Sequence, residues 1–166
     1  MAWMGNISAT MSVSARRWIA TATGRTSHEL TALGSASLKE AVSCLASEIE
    51  RLEHWMTPAN EEEIAEALLG LAAMLQVNVP NEIGLDLMVT ALRRLPRPVF
   101  LAGRDALVQS HKWPKLPTPG DFLDAGKPTQ DQLDSITKVL RSRKETYVRA
   151  LSLVRVRTNW AKNNAY

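Results

Sequence analysis

Three histidines, His28, His54 and His111, and one cysteine, Cys44, are the residues that could supply a base or a strong nucleophile. Acyl-transfer chemistry needs a Ser or Cys brought together with a His and a carboxylate. The histidines fall in an N-terminal stretch, in a helical pattern and at a helix end, and none lies in a motif that would place it. Cys44 sits inside an apolar helical pattern and reads as a small buried hydrophobe. One thiol makes no internal disulfide, and one Cys with three scattered His is no zinc framework. The run Glu61, Glu62, Glu63 resembles a metal cluster only on paper, because adjacent helical residues point in different directions. Asp121 and Asp124 are three apart and could share a helix face, but their position after Pro119 suits capping. No GxGxxG, GxxxxGK[ST] or EF-hand spacing occurs. The expectation is a protein without catalytic site, cofactor or metal.

The charges point to binding. Residues 126–166 carry nine basic and three acidic side chains, residues 29–125 eight basic and fourteen acidic, and residues 1–28 three arginines and no acid. An acidic body with a basic C-terminal segment calls for an anionic partner on that segment. Lys138, Arg141, Arg143, Lys144, Arg149, Arg155 and Arg157 are the candidate nucleic-acid contacts. They are spread around a helix, so only part of them could meet phosphate at once. Aromatic interleaving is sparse: Trp160 is one candidate, and Tyr147 falls on the apolar stripe. DNA, RNA and an acidic protein remain open as partners, beside the plainer reading of a solvated Arg-rich helix.

The elements that must carry these residues read as helices. Leu38, Val42, Leu45, Ile49 and Leu52 recur at spacings of three and four. Ser37 with Glu40 forms a capping-box signature ahead of them, and the helix is expected to reach about Met56. Asn60 caps the next helix, with the three glutamates in its first turn, where the helix dipole favours negative charge. Its stripe is Ile64, Ala67, Leu68, Leu71 and Leu75. Asn81 opens a third through Leu85, Met88, Val89 and Leu92. Pro98 suits the first turn of a fourth, which runs to about His111. Gly126-Lys127-Pro128 reads as a break, with a long last helix opening at Thr129 or Gln130. That helix has Leu133, Ile136, Leu140, Tyr147, Leu151 and Val154 on one stripe.

The expected fold is therefore all-α: about five helices in a compact antiparallel bundle, a long C-terminal helix and a flexible N-terminal arm. The expected divisions are an arm over 1–28, a helical domain over 29–125 and a basic helix and tail over 126–166. The Ser/Thr/Ala-rich start lacks the apolar core of a secretory signal, and no run of about 18 apolar residues exists. With a single cysteine, this fits a cytoplasmic protein without a membrane partner. Trp18, in "SARRWIA", is a candidate anchor on a protein partner.

Residues 111–122, "HKWPKLPTPGDF", form the stiffest stretch. Each proline pushes the residue before it, 113, 116 and 118, toward extended geometry, so the segment becomes a strut. Leu116 and Phe122 can pin it to the core. Lys112, Trp113 and Lys115 are the candidate protein contacts there, Trp113 alternatively covering a helix end. Residues 90–123 run from a helix ending in "ALRRLP", through a further helix and an aromatic, to "LPTPGDF". This order resembles the small helical domains of phage and prophage replisome organisers and helicase loaders. The resemblance implies an adaptor without an ATPase, with one surface for a replicative helicase and another for an initiator or DNA. Two alternatives stand beside it. One is a small inhibitor or interaction protein that docks on a host complex, its acidic side chains Glu48, Glu50, Glu53, Glu61–Glu63 and Glu66 mimicking nucleic acid. The other is a DNA-binding module built on the basic helix.

Overall fold

The structure is a computed structural model that describes residues 11–110 and 115–163. All regular structure among them is helical: α1 (Val13–Ala22), a single turn α2 (Ser27–Leu30) leading into a 3-10 turn (Thr31–Leu33), α3 (Gly34–Trp55), α4 (Glu61–Leu75), α5 (Glu82–Leu92), α6 (Arg97–Ser110) and α7 (Pro119–Asn163). The all-α expectation holds, with six helices of ten residues or more in place of five. None of the described helices is long and apolar enough to cross a membrane. Among the described residues the chain divides into two compact units, residues 53–133 and residues 11–52 with 134–163. We call them the central and the terminal unit. Their boundaries fall inside α3 and α7 rather than at residues 28 and 125, so each of these helices serves both units.

In the central unit α4, α5 and α6 start where expected. Asn60 Oδ1 accepts from the Glu63 N–H at 2.7 Å, and Asn81 Oδ1 from the Gly84 N–H at 2.9 Å. Each bond satisfies one of the donors that a helix N-terminus leaves unpaired. Ile64, Leu68 and Leu71 of α4, Val89 and Leu92 of α5, and Phe100 and Leu107 of α6 form a buried apolar cluster with Phe122. Phe100 and Phe122 stack with ring centroids 5.7 Å apart. Leu116 packs on the same cluster, so the proline corner is pinned at both of the expected points. Thr118 and Asp121 close a reciprocal cap at the start of α7, with the Thr118 N–H 2.7 Å from Asp121 Oδ2.

The expected break at Gly126-Lys127-Pro128 does not occur, and α7 runs through Pro128. Gly126 is a packing residue. A Cβ there would stand 2.6 Å from the Val99 carbonyl oxygen, and one on Gly103 would stand 2.5 Å from the Phe122 carbonyl oxygen. Two glycines thus let the backbones of α6 and α7 approach directly. Pro128 is exposed, so the Asp124 carbonyl that loses its helical donor lies on the side open to water.

The terminal unit overturns two further expectations. Residues 13–22 are not an arm but α1, capped by Ser12, whose hydroxyl accepts from the Ala15 N–H at 3.1 Å. Ala15, Trp18 and Ala22 of α1 are buried. The second concerns Ser37, which caps nothing, because α3 begins at Gly34 with φ of 77°. The capping box sits earlier, between Thr26 and Glu29, and the Thr26 N–H holds the Glu29 carboxyl below its ordinary pKa. Leu38, Leu45 and Leu52 of α3 and Leu140, Tyr147 and Ala150 of α7 are buried in the same unit.

Candidate functional site

The seven basic candidates of α7 do not form one surface. Lys138, Arg141, Arg149 and Arg155 are exposed; helix geometry puts Lys138 and Arg149 opposite the buried stripe of Leu140, Tyr147 and Leu151 and Arg141 and Arg155 toward one flank of it. Asp134 and Glu145 lie among them. Glu145 sits 4.0 Å from Arg149, and it lines a shallow hollow of about 390 Å³ with Asp134, Lys138 and Arg141. Arg143 is turned inward: its guanidinium donates at 3.4 Å to the Ala22 carbonyl, the last of α1. A cation there complements the negative end of the α1 dipole. Lys144 is half-buried beside it. Arg157 Nη2 lies 2.7 Å from His28 Nε2. Because a guanidinium only donates, Nε2 is the acceptor in this contact.

Trp18, the candidate anchor, is 5% exposed. Its ring meets Tyr147 edge to face at 5.8 Å, and its carbonyl accepts from the Tyr147 hydroxyl at 2.7 Å. Burial pushes the Tyr147 pKa up. Trp18 is thus a core residue whose ring and carbonyl both hold α1 to α7. Arg17 covers the ring, 5.4 Å from its centroid. What the sequence windows hid is that Arg16, Arg17 and Arg25, all exposed, belong to the same folded unit as the basic half of α7. Lys115 is exposed, while Lys112 and Trp113 lie outside the described residues.

The acidic side chains divide in an equally uneven way. Glu48 is buried, 4% exposed, and accepts from Arg51 at 2.5 Å and from the Ser12 N–H at 3.4 Å. Burial pushes its pKa up, but the Arg51 guanidinium and the Ser12 donors outweigh that and hold it below the ordinary value. Glu63 takes a two-pronged contact from Arg97 Nε, 2.8 and 2.9 Å, which lowers its pKa and raises that of Arg97. Glu61 pairs with Arg93. Cys44 is partly buried, and burial, Glu48 and Glu40 push its thiol up, away from the reactive thiolate. His54 is exposed at the end of α3 and His111 is outside the described residues. No group of three or more metal-ligating side chains is found among the described residues.

In the central unit an open groove of about 750 Å³ lies between α4 and α6. Ala67, Gly70, Leu71, Met74 and Val108 make its floor, and Glu63, Glu66 and Asp105 stand along it with Arg104. Arg104 is held by Asp105 at 2.6 Å. Comparison of the chain with family models, curated proteins and solved structures finds no match.

Proposed function

We propose that the protein is a non-catalytic adaptor of the phage and prophage replication type, with a polyanion-binding surface on α7 and a second surface for a replicative helicase or initiator. The observation that carries this reading is the exposure of Lys138, Arg141, Arg149 and Arg155 along the outer side and one flank of α7, on a unit with thirteen basic and six acidic side chains. Cations along one exposed helix meet successive phosphates and release the ions condensed on them, which gives a sequence-independent, salt-sensitive affinity. The protein-binding surface is the proline corner. Lys115 stands next to Leu116, which packs on the central cluster, so its backbone loses little freedom on binding. The inhibitor reading has less support. Of the acids that would mimic nucleic acid, Glu48, Glu61 and Glu63 are each engaged by an arginine of the chain itself.

The test is light scattering behind a sizing column, with the protein alone and mixed with a hexameric bacterial replicative helicase. An adaptor gives a shifted peak of fixed stoichiometry that Lys115→Glu weakens. An unshifted peak removes the helicase as the partner.

A further inference from the structure

The outer side of the α4–α5 pair carries apolar residues where a solvent-facing helix carries polar ones. Ile83 and Leu87 of α5 are 72% and 64% exposed, and Leu69 of α4 is 45% exposed. Ile83 and Leu87 are one turn apart on the side of α5 away from the buried Leu92, and Leu69 lies on the side of α4 away from the buried Leu71. The two helices run antiparallel. Residues 76–81 join the end of α4 to the start of α5, and Arg93, just past the end of α5, pairs with Glu61 at the start of α4. Glu82 and Asp86 fall on the same stripe of α5 as Arg93, the side turned to α4. They therefore stand between Leu69 and the pair Ile83 and Leu87 on one outer face. A single exposed leucine needs no account, but apolar residues gathered on adjacent helices with a polar rim mark an interaction surface.

The acids of this face keep their charge open. From residue 61 to residue 92 the chain has six acidic side chains and no basic one. Glu61 and Glu63 are taken by Arg93 and Arg97. Glu62, on the Leu69 side of α4, and Glu82 and Asp86 are exposed and have no ionic or hydrogen-bonded partner among the described residues. Only Arg94, exposed past the end of α5, stands near them with a charge of its own to offer. We infer that this face docks a basic amphipathic helix of another protein. Such a helix lies along the seam of the two antiparallel helices, sets its apolar row on Leu69, Ile83 and Leu87, and brings lysines or arginines to the three carboxylates. The open charge selects the sign of the partner, and the apolar residues select its amphipathic form. The chain's own basic helix is not that partner, because the apolar stripe of α7 through Leu140, Tyr147 and Leu151 is already buried in its unit. The inference uses no residue of the proline corner or of α7, so it stands whether or not the protein binds nucleic acid.

The probe is a fluorescent synthetic helix with leucines at spacings of three and four and lysines elsewhere, titrated with the full chain at low salt and followed by anisotropy. It is expected to bind, to be released as salt screens the charges, and to bind far better than the same helix with glutamates for lysines. Ile83→Ser with Leu87→Ser is expected to weaken binding at least about tenfold, the scale of a lost central contact. Glu62→Lys with Asp86→Lys is expected to weaken it comparably and to remove most of its salt dependence. All four positions are exposed, and circular dichroism checks that each variant is folded. Met74→Ser, on the α6 side of α4, is expected to change nothing. No binding by the wild-type chain at low salt overturns the proposal. So does binding that the charge reversal weakens but the serine pair leaves unchanged, which is attraction without docking. Binding that Met74→Ser weakens as much as the serine pair overturns it as well, because the helix then lies in the α4–α6 groove. Self-association of the chain in light scattering that the serine pair abolishes overturns the choice of partner in favour of a second copy.

Discussion

The central unit carries eleven acidic and seven basic side chains, the terminal unit six and thirteen. Their interiors differ as well. The central core is apolar throughout, joined by stacked phenyl rings and by two glycines that let helix backbones touch. The terminal unit adds polar clasps to its apolar core: Tyr147 on the Trp18 carbonyl, Glu48 on Arg51 and Ser12, and Arg143 on the end of α1. Shape complementarity holds the first, while directional bonds hold α1 in the second. The difference teaches where each unit is vulnerable, to changes of volume in one and to changes of charge or proton count in the other.

The sharpest way to break the comparison is at Trp18. Trp18→Ala is expected to cost roughly 3–5 kcal/mol in the terminal unit, the range for truncating a buried large aromatic. Urea unfolding followed by circular dichroism measures it. A loss below about 1 kcal/mol, the scale of a surface change, would return Trp18 to the role of an exposed anchor. Next comes Gly103→Ala in the central unit. In an ordinary helix this exchange stabilises by about 1 kcal/mol. Here the added Cβ meets the Phe122 carbonyl oxygen at 2.5 Å, so a loss of roughly 1–3 kcal/mol is expected. Gly70→Ala is the control, because a Cβ there meets nothing within 4 Å, and it is expected to stabilise.

A smaller effect is the pH response of the terminal unit. Glu48 has a folded pKa below its ordinary value of 4.5, so the unfolded chain holds its proton more tightly. The stability that this group contributes is complete above about 4.5 and is lost as pH falls through the lower, folded value. Acid titration watched by the NMR signal of the Trp18 indole N–H is expected to show α1 loosening in that window. Glu48→Gln is expected to flatten this dependence, and an unchanged profile would dissociate the clasp from α1.

Much of the central unit was legible in the sequence. The caps at Asn60 and Asn81, the stripe of α4 and the anchors Leu116 and Phe122 rest on short-range rules that the packing did not override. The terminal unit was hidden because it is assembled from both ends of the chain. A window over residues 1–28 shows small polar residues and no partner, and Tyr147, which makes Trp18 a core residue, is 129 positions away. Ser/Thr-x-x-acid signatures occur at Thr26, Ser37 and Thr118 alike. Only the first and last follow extended chain, whereas Ser37 lies within a helix already begun at Gly34. Gly126-Lys127-Pro128 reads as a break because sequence rules price glycine by its freedom, and the close approach of Val99 that requires it is a tertiary fact. The basic face was legible as a list of residues but not as a surface. Sequence could not say that Arg143 reaches the Ala22 carbonyl and Arg157 reaches His28, or that Lys138, Arg141, Arg149 and Arg155 are exposed.

That basic surface is tested most directly by the salt dependence of binding to a fluorescent DNA duplex between about 50 and 200 mM salt, where released counterions set the affinity. Four phosphate contacts give a slope of log K against log salt of about −3 to −4. Lys138→Glu, Arg141→Glu and Arg155→Glu together are expected to abolish most of the affinity and flatten the slope, with the fold intact by circular dichroism. Absence of binding at the lowest salt, or a slope that the triple reversal leaves unchanged, would contradict a polyanion surface on α7.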